Sequence, residues 1–453
     1  MTAYHVNKGY DLQLEGEAKL ELSVKEDSQL VAVNPSDIKD TKYKLLVREG
    51  DEVKVGSALA TTKHDEEIAL TSPVAGKVKE VIRGERRALM TIIIEVSNTD
   101  DAEDFGVWDS SKVASASSAE IVSHLKKSGL WPLLRQRPFD TMVDAEVAPK
   151  AIFVNGMDSA PNGVNQEFAL RGQESEFALG LAAIANLADC KTHLCYAGES
   201  NFSAFVNAEG VEKATFTGKH PKGLVGTHIY HVSPLNKGET VWHISAQNVA
   251  LIGSLLSTGK VPSSQVVCVT GANVEKKGYF KVLRGAILSD YVQGVADNSR
   301  VISGNVLAGE KRSLEQSASI YSNHVTVIPE GDTQYYLLED KHWAMTGFER
   351  FTLWNLFMSR LAPKNKKWNL DTNRYGDVRG IVTMDAYDKY VAQDIYVNFL
   401  AKSILSQDIE RMEKLGLYEL APEDVALCTF VCPSKTDFSA IVEQGLDLLR
   451  REG

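Results

Sequence analysis

Long apolar runs are missing from this chain. No stretch approaches the roughly 20 uninterrupted apolar residues of a membrane-spanning helix. The best run, Phe177 to Ala188 (FALGLAAIANLA), contains Asn186 and predicts a buried helix instead. The opening MTAYHVNKGYDLQ shows no basic segment followed by an apolar core, so no secretory signal is expected and the chain is expected in the cytoplasm. Cysteine is scarce: Cys190, Cys195, Cys268, Cys428 and Cys432 are the full set. An odd, sparse set is not a disulfide framework, and a reducing compartment suits it. Neither G-x-G-x-x-G nor G-x-x-x-x-G-K-[ST] occurs, which removes the two most legible phosphate-cradling loops. Positive charge is short as well, with a formal net charge of −11. Nucleic acid wants a basic footprint, and an anionic bilayer would repel such a chain on average. The local basic spots, Arg83, Arg86 and Arg87 and then Lys364, Lys366 and Lys367, read as solvated surface, with a contact to a partner protein as the alternative.

What is present is regular punctuation over 453 residues. At roughly 100–200 residues per domain, three or four domains are expected. "KLLVREGDEVKVGSALATT" breaks short apolar pieces at Gly50 and Gly56, and "IALTSPVAGKVKEVIRGERRALMTIIIEV" repeats the scheme with Pro73, Gly76 and Gly84. Short strands joined by tight turns follow, so 1–105 is expected to be a small barrel or sandwich of strands. A polar stretch from Asn98 to Ser118 reads as a loose connection. Over 106–260 strand and helix patterns alternate, which argues for a Rossmann-like α/β layer. There Ser175 is expected to cap a helix running to Asp189, and "AQNVALIGSLLSTG" is expected to be an amphipathic helix ended by Gly259. One short helix among several strands suggests a β-grasp unit at 261–335. The remainder, 336–453, is expected to be helical, with "GFERFTLWNLFMSRLAP" as its first helix.

Three stretches bear on chemistry. The hairpin pair around Gly50, Gly56 and Gly76 resembles the biotinyl/lipoyl module, whose cofactor swings on a lysine at a hairpin tip. Lys63 occupies the tip region, but Thr62 and His64 flank it in place of the usual carrier context, so an unmodified docking barrel is expected. The loop GKHPKGLVGTH holds Gly218, His220, Pro221, Gly223, Gly226 and His228. Backbone N–H groups in such a loop can wrap an anion, and the histidines could serve a metal. No short, regular Cys/His spacing joins them, so a structural or partner-facing loop is the expected reading. Finally, Cys428 and Cys432 share a helix face at i, i+4. A cluster takes four cysteine ligands and the other three are scattered, so packed apolar side chains are expected, with no metal site.

The order of these pieces is similar to one family, the A subunit of the Na⁺-translocating NADH:quinone oxidoreductase. "NKGYDLQLEG", "TSPVAGKVKEVIRGERRALMTIIIE", "GKHPKGLVGTHIYHVSP", "VISGNVLAG", "VTVIPEG" and "ALCTFVCPSK" carry the resemblance, which covers nearly the whole chain. It implies a fold of four parts: barrel-sandwich, α/β, β-grasp of SLBB type and C-terminal helices. It implies a peripheral subunit on the cytoplasmic face of the bacterial inner membrane, in a six-subunit complex. That complex moves electrons from NADH through flavins and iron centres to quinone and exports Na⁺. The resemblance further implies a chain that binds no cofactor itself and is not catalytic alone. Docking is its expected role, with quinone as a candidate ligand near Gly218, His220, Pro221, Gly223, Gly226 and His228. The alternatives are a C-type subunit of an Rnf-like complex, which would need C-x-x-C runs that are absent, and an acyl or biotin carrier on Lys63.

Overall fold

The computed structural model describes residues 2–332, 365–374, 377–382 and 387–452. The expected helix "GFERFTLWNLFMSRLAP" falls outside the described residues.

A seven-stranded sheet forms the centre. Its parallel part runs in the order Thr2–Val6, Glu212–Gly218, Lys191–Ala197, Ala151–Asn155, Val241–Ser245. The antiparallel hairpin Arg135–Arg137 and Thr141–Met142 extends the far edge. The central strands Ala151–Asn155 and Val241–Ser245 read as continuous apolar runs because both of their faces are covered. Ala151–Val154 is buried throughout, and so is Val241–Ile244. On one face lie the helices Glu174–Ala185 and Ala246–Thr258. On the other lies the helix Val225–Val232, with Val225 and Ile229 packed against Phe153 and Phe216. Helix Ala246–Thr258 starts at Ser245, whose hydroxyl accepts from Asn248 N, and ends at Gly259 in the left-handed region at φ 69°. It is buried nearly all round rather than amphipathic, because strands, a neighbouring helix and the β-grasp unit surround it. Gln247 accordingly donates to the Val266 carbonyl. The helix expected to start at Ser175 starts instead at Glu174, with Gln173 in the cap position and no side-chain cap.

A six-stranded sheet makes the β-grasp unit, in the order Glu310–Arg312, Ser299–Ser303, His324–Pro329, Ser264–Thr270, Gly278–Leu283, Leu22–Lys25. The barrel-sandwich consists of a four-stranded sheet around the long hairpin Ala75–Arg83 and Leu89–Asn98, and a three-stranded sheet of Tyr43–Leu45, Ala58–Thr62 and Ala69–Thr71. The two units share one apolar core, in which Val31, Leu59 and Ile92 meet Val267, Val269 and Phe280.

Two strands of the N-terminal segment pair away from the barrel. Thr2–Val6 adds a parallel edge to the central sheet, and Leu22–Lys25 adds one to the β-grasp sheet. The stretch expected to be a loose connection is a packed strap. Trp108 is buried, its N–H donates to the Leu256 carbonyl, and Phe105 N donates to the Gly259 carbonyl. An aromatic ring buried against a helix end gives such a polar segment a fixed course. The C-terminal helices Val397–Leu405, Ile409–Lys414, Ala426–Val431 and Phe438–Glu452 close on a core of their own, with Tyr387, Leu400, Met412, Val425 and Phe438.

Candidate functional site

The histidine–glycine loop is a joint between three parts of the chain. Strand Glu212–Gly218 ends at Gly218, φ +108°, where a Cβ would stand 2.1 Å from the Val6 carbonyl oxygen. The segment after Val6 then stitches the loop down. His220 N donates to Asp11 Oδ1 at 2.8 Å, and the His220 carbonyl accepts from Tyr10 N at 2.8 Å. Gly9 N continues this tie to the Lys389 carbonyl in the C-terminal part. The His220 imidazole Nδ1 is 3.0 Å from Ser159 Oγ, and Gly223 N donates to the same hydroxyl at 2.8 Å. Burial pushes His220 below the ordinary histidine range, against the pull of Asp158 and Asp11. Pro221 follows with its carbonyl accepting from Leu224 N.

Helix Val225–Val232 rises from this loop. His228 donates from Nε2 to the Lys222 carbonyl at 2.9 Å, and its ring centroid lies 4.3 Å from that of Phe216. Complete burial drives its pKa down to about 3, so it is a neutral core histidine at any physiological pH. Gly226 faces the C-terminal part, where a Cβ would stand 2.3 Å from Asp424 Oδ1. The six candidate residues are thus brought together, but around backbone ties and not around an open pocket.

A cavity does exist nearby. The chain leaves strand Ala151–Asn155 toward Lys191–Ala197 on one side and returns with Val241–Ser245 on the other, so the switch in strand order lies between them. Ligands of open α/β sheets bind outside the carboxyl ends of the strands at such a point. A cavity of about 290 Å³ opens there, between Asp158 and Ser245 on the sheet side and Tyr321, Asn323 and His324 on the β-grasp side. Arg135 lies 4.8 Å over the Tyr321 ring. Asp37, Asp140, Asp158, Glu310 and Glu423 also line it, so carboxylates outnumber the cations Lys39 and Arg135. None of the six loop residues lines it. Sequence reasoning missed this site. Its one sequence signal is the polar segment GMDSAPNG directly after a predicted strand.

One wall of the cavity belongs to a buried ionic cluster. Arg137 reaches Glu423 at 2.7 Å, Asp424 at 3.4 Å and Asp140 at 3.5 Å, and Arg135 reaches Asp140 at 2.7 Å. His243 Nε2 lies 3.1 Å from Asp140 Oδ1. Despite burial, the two guanidiniums hold Asp140 well below the usual carboxylate range. Desolvation raises Glu423 to about 7 although its side chain is 27% exposed, and it moves the fully buried Asp424 upward too, with Arg137 only partly offsetting it.

Lys63 is exposed in the turn between Ala58–Thr62 and Ala69–Thr71, and its N–H donates to the Lys42 carbonyl. The same turn is pinned to helix Ser118–Ser128 by the Asp65–Lys126 pair at 2.5 Å. Cys428 lies in helix Ala426–Val431, whereas Cys432 is the first residue past its end, with extended backbone at ψ 116°. The expected i, i+4 helical pair is therefore corrected to a helical residue and a cap residue, because Pro433 disfavours helical geometry at the residue before it. Both side chains are buried in the C-terminal core, and the Cys432 sulfur lies 3.1 Å from Tyr387 Oη and accepts from Thr436 N. Among the described residues no group of three or more His, Cys, Asp or Glu is placed to hold a metal ion. No helix among them is long and apolar enough to cross a membrane.

Comparison with known proteins fits this architecture. Residues 4–97 match the family model described as the NqrA N-terminal barrel-sandwich hybrid domain. Residues 116–261 match the NqrA second alpha/beta domain, and 266–313 match the NQRA C-terminal domain. The expected order of barrel-sandwich, α/β and β-grasp units followed by helices is the order found. The A subunit of the Na(+)-translocating NADH-quinone reductase of Saccharophagus degradans is 34% identical over 451 residues, 99% of each chain. The protein of the same name from Rhodopirellula baltica is 32% identical over 454 residues, 99% of this chain and 98% of that one. A solved NAD⁺-reducing [NiFe]-hydrogenase aligns at TM-score 0.35 and 13% identity over 68% of this chain and 56% of that one, too weak a likeness to carry an argument. Three family-model matches along the chain and 32–34% identity over 99% of it lead to one conclusion: the chain belongs to the A-subunit family of the Na⁺-translocating NADH-quinone reductase.

Proposed function

We propose that this chain is a docking and stabilising subunit of a six-subunit Na⁺-translocating NADH:quinone oxidoreductase. In this reading it lies on the cytoplasmic face of the bacterial inner membrane and binds no flavin, iron or nicotinamide itself. Flavins and iron centres of its partners carry the electrons to quinone, and Na⁺ crosses in those partners. The observation that carries the reading is likeness to relatives of that name over 99% of the chain. The geometry of the Gly218–His228 loop supports a structural share for it. Its imidazoles engage Ser159 Oγ and the Lys222 carbonyl, leaving Nδ1 of His228 buried and without a hydrogen bond. In this reading the same loop, from Gly218 to His228, is the candidate contact for quinone or a partner subunit. The sequence units 1–105, 106–260, 261–335 and 336–453 are, in the same reading, the units of the fold, with the first two strands lent to neighbours.

The test is recovery of the chain from native membranes. Affinity capture should bring hydrophobic partner proteins carrying flavin and iron, in constant ratio to the chain. Recovery as a lone protein, or with a covalent modification on Lys63, would point to the carrier alternative and sink the docking reading.

A further inference from the structure

Three units of the fold meet around one guanidinium that has no acid of its own. Arg284 follows the β-grasp strand Gly278–Leu283, and its Nη1 donates to the Pro262 carbonyl at 3.2 Å. No carboxylate among the described residues pairs with it. Close protein walls lower its pKa to about 10, and no neighbouring charge offsets that. A buried lysine or carboxylate can shed its charge, but a guanidinium stays charged. A charge walled in by protein is costly until an opposite charge meets it.

Arg284 opens into a cavity of about 70 Å³. Ala32 and Pro73 of the barrel, Asn248 and Leu251 of the α/β unit, and Gln265 and Ser319 of the β-grasp unit share its walls. Among the described residues Asn248 and Gln265 are tied through their backbones, to Ser245 Oγ and across to Val282, which leaves both side-chain amides free to donate. Asp37 is the one acid on the walls, and it is already engaged by Arg312 at 2.7 Å and by Ile320 N at 3.0 Å. The end of helix Ser118–Ser128, beside Gly129, offers only the partial charge of its carbonyls, and the Ser128 carbonyl accepts from Thr71.

The ligand chemistry follows from this inventory. One positive charge with a planar fork suits one carboxylate, held by two parallel hydrogen bonds. A dianionic phosphate would leave a negative charge uncancelled beside Asp37. A water takes roughly 10–15 Å³ of such space, so the cavity holds about five non-hydrogen atoms, a carboxylate on a short apolar stem. We propose that Arg284, Asn248 and Gln265 form a binding site for a single carboxylate group at the joint of the three units, supplied by a small free acid or by an acidic side chain of a partner subunit.

Propionate is the probe. Saturation-transfer NMR on the full chain should show it bound, and the melting temperature should rise saturably with propionate over chloride at equal ionic strength. Arg284→Met should abolish binding. Asn248→Ala, which removes one charge-assisted hydrogen bond, should weaken it about tenfold. In carboxylate-free buffer Arg284→Met should be as stable as the wild type, since it removes a charge without a partner. Binding by both the chain and the assembled complex assigns the site to a free acid. Binding by the chain alone assigns it to a partner's side chain that fills the site on assembly. No propionate binding to the chain, equal stabilisation by chloride or phosphate, unchanged binding in both variants, or strong destabilisation of Arg284→Met in carboxylate-free buffer would each overturn the proposal.

Discussion

Gly253→Ala is expected to destabilise the chain by about 3 kcal/mol, near the upper end for overpacking, although alanine is the better helix former. Helices Glu174–Ala185 and Ala246–Thr258 cross so closely that a Cβ on Gly253 would stand 1.7 Å from the Glu176 carbonyl oxygen. The reciprocal contact is as tight, with a Cβ on Gly180 placed 2.0 Å from the Val249 carbonyl oxygen. Backbone atoms cannot rotate away as a flexible side chain would, so the two helices must part. Swapping glycine for alanine in a helix interior gains about 1 kcal/mol from propensity, which is smaller than the clash. Parting the helices also opens the apolar layer on one face of the central sheet, where Phe177, Leu181, Ile252 and Leu256 pack together. Chemical denaturation of the variant and the wild type measures the difference. A variant as stable as the wild type would show that the crossing is looser than these contacts require.

Arg137→Met should have an effect of similar size, for an electrostatic reason. Arg137 is almost wholly buried and is the partner common to Asp140, Glu423 and Asp424. Methionine fills much of the volume but leaves the carboxylates facing one another. Breaking a buried pair by removing one partner costs about 3–5 kcal/mol. The loss should be greatest above about pH 7, where all three carboxyls are asked to ionise, and should shrink as pH falls and protons neutralise them. Denaturation at two pH values on either side of that range checks both magnitude and sign. A loss below about 1 kcal/mol, or one that grows as pH falls, would mean the cluster is hydrated and weakly coupled.

The two substitutions show which layers of this fold are legible in the sequence. Strands such as Ala151–Asn155 and Ser264–Thr270 are readable because β-branched runs bounded by turns have few other structures open to them. The end of helix Ala246–Thr258 is readable because Gly259 supplies the left-handed cap. Contacts between distant segments are not. Nothing local in Thr2–Val6 shows that it pairs with Ala214–Gly218, and nothing in Leu22–Lys25 names Tyr279–Val282 as its partner. A short strand carries register only once a neighbour exists. The strap from Asn98 to Ser118 looks loose in sequence because its polarity hides one decisive anchor, Trp108.

The candidate site divides the same way. The glycines and histidines of 218–228 stand out by composition, and the structure does gather them, with Gly218 and Gly226 each allowing a close approach to another segment. Their number reflects a crowded joint. The Arg137 cluster is invisible in sequence because Glu423 and Asp424 lie nearly 290 positions from Arg137, and an Asp or Glu looks the same there whether buried or solvated. For Cys428 and Cys432, ligand counting points to packing. The Tyr387 hydroxyl and Thr436 N–H beside Cys432 show how that packing is satisfied.

The docking role requires a chain that stabilises a redox complex without a redox centre of its own. The direct measurement is flavin and metal content per chain, taken on the chain purified alone and folded. No flavin, iron or zinc above trace is expected, with the flavin and iron of the assembled complex residing on its partners. Stoichiometric flavin or metal on the isolated chain would contradict the docking role.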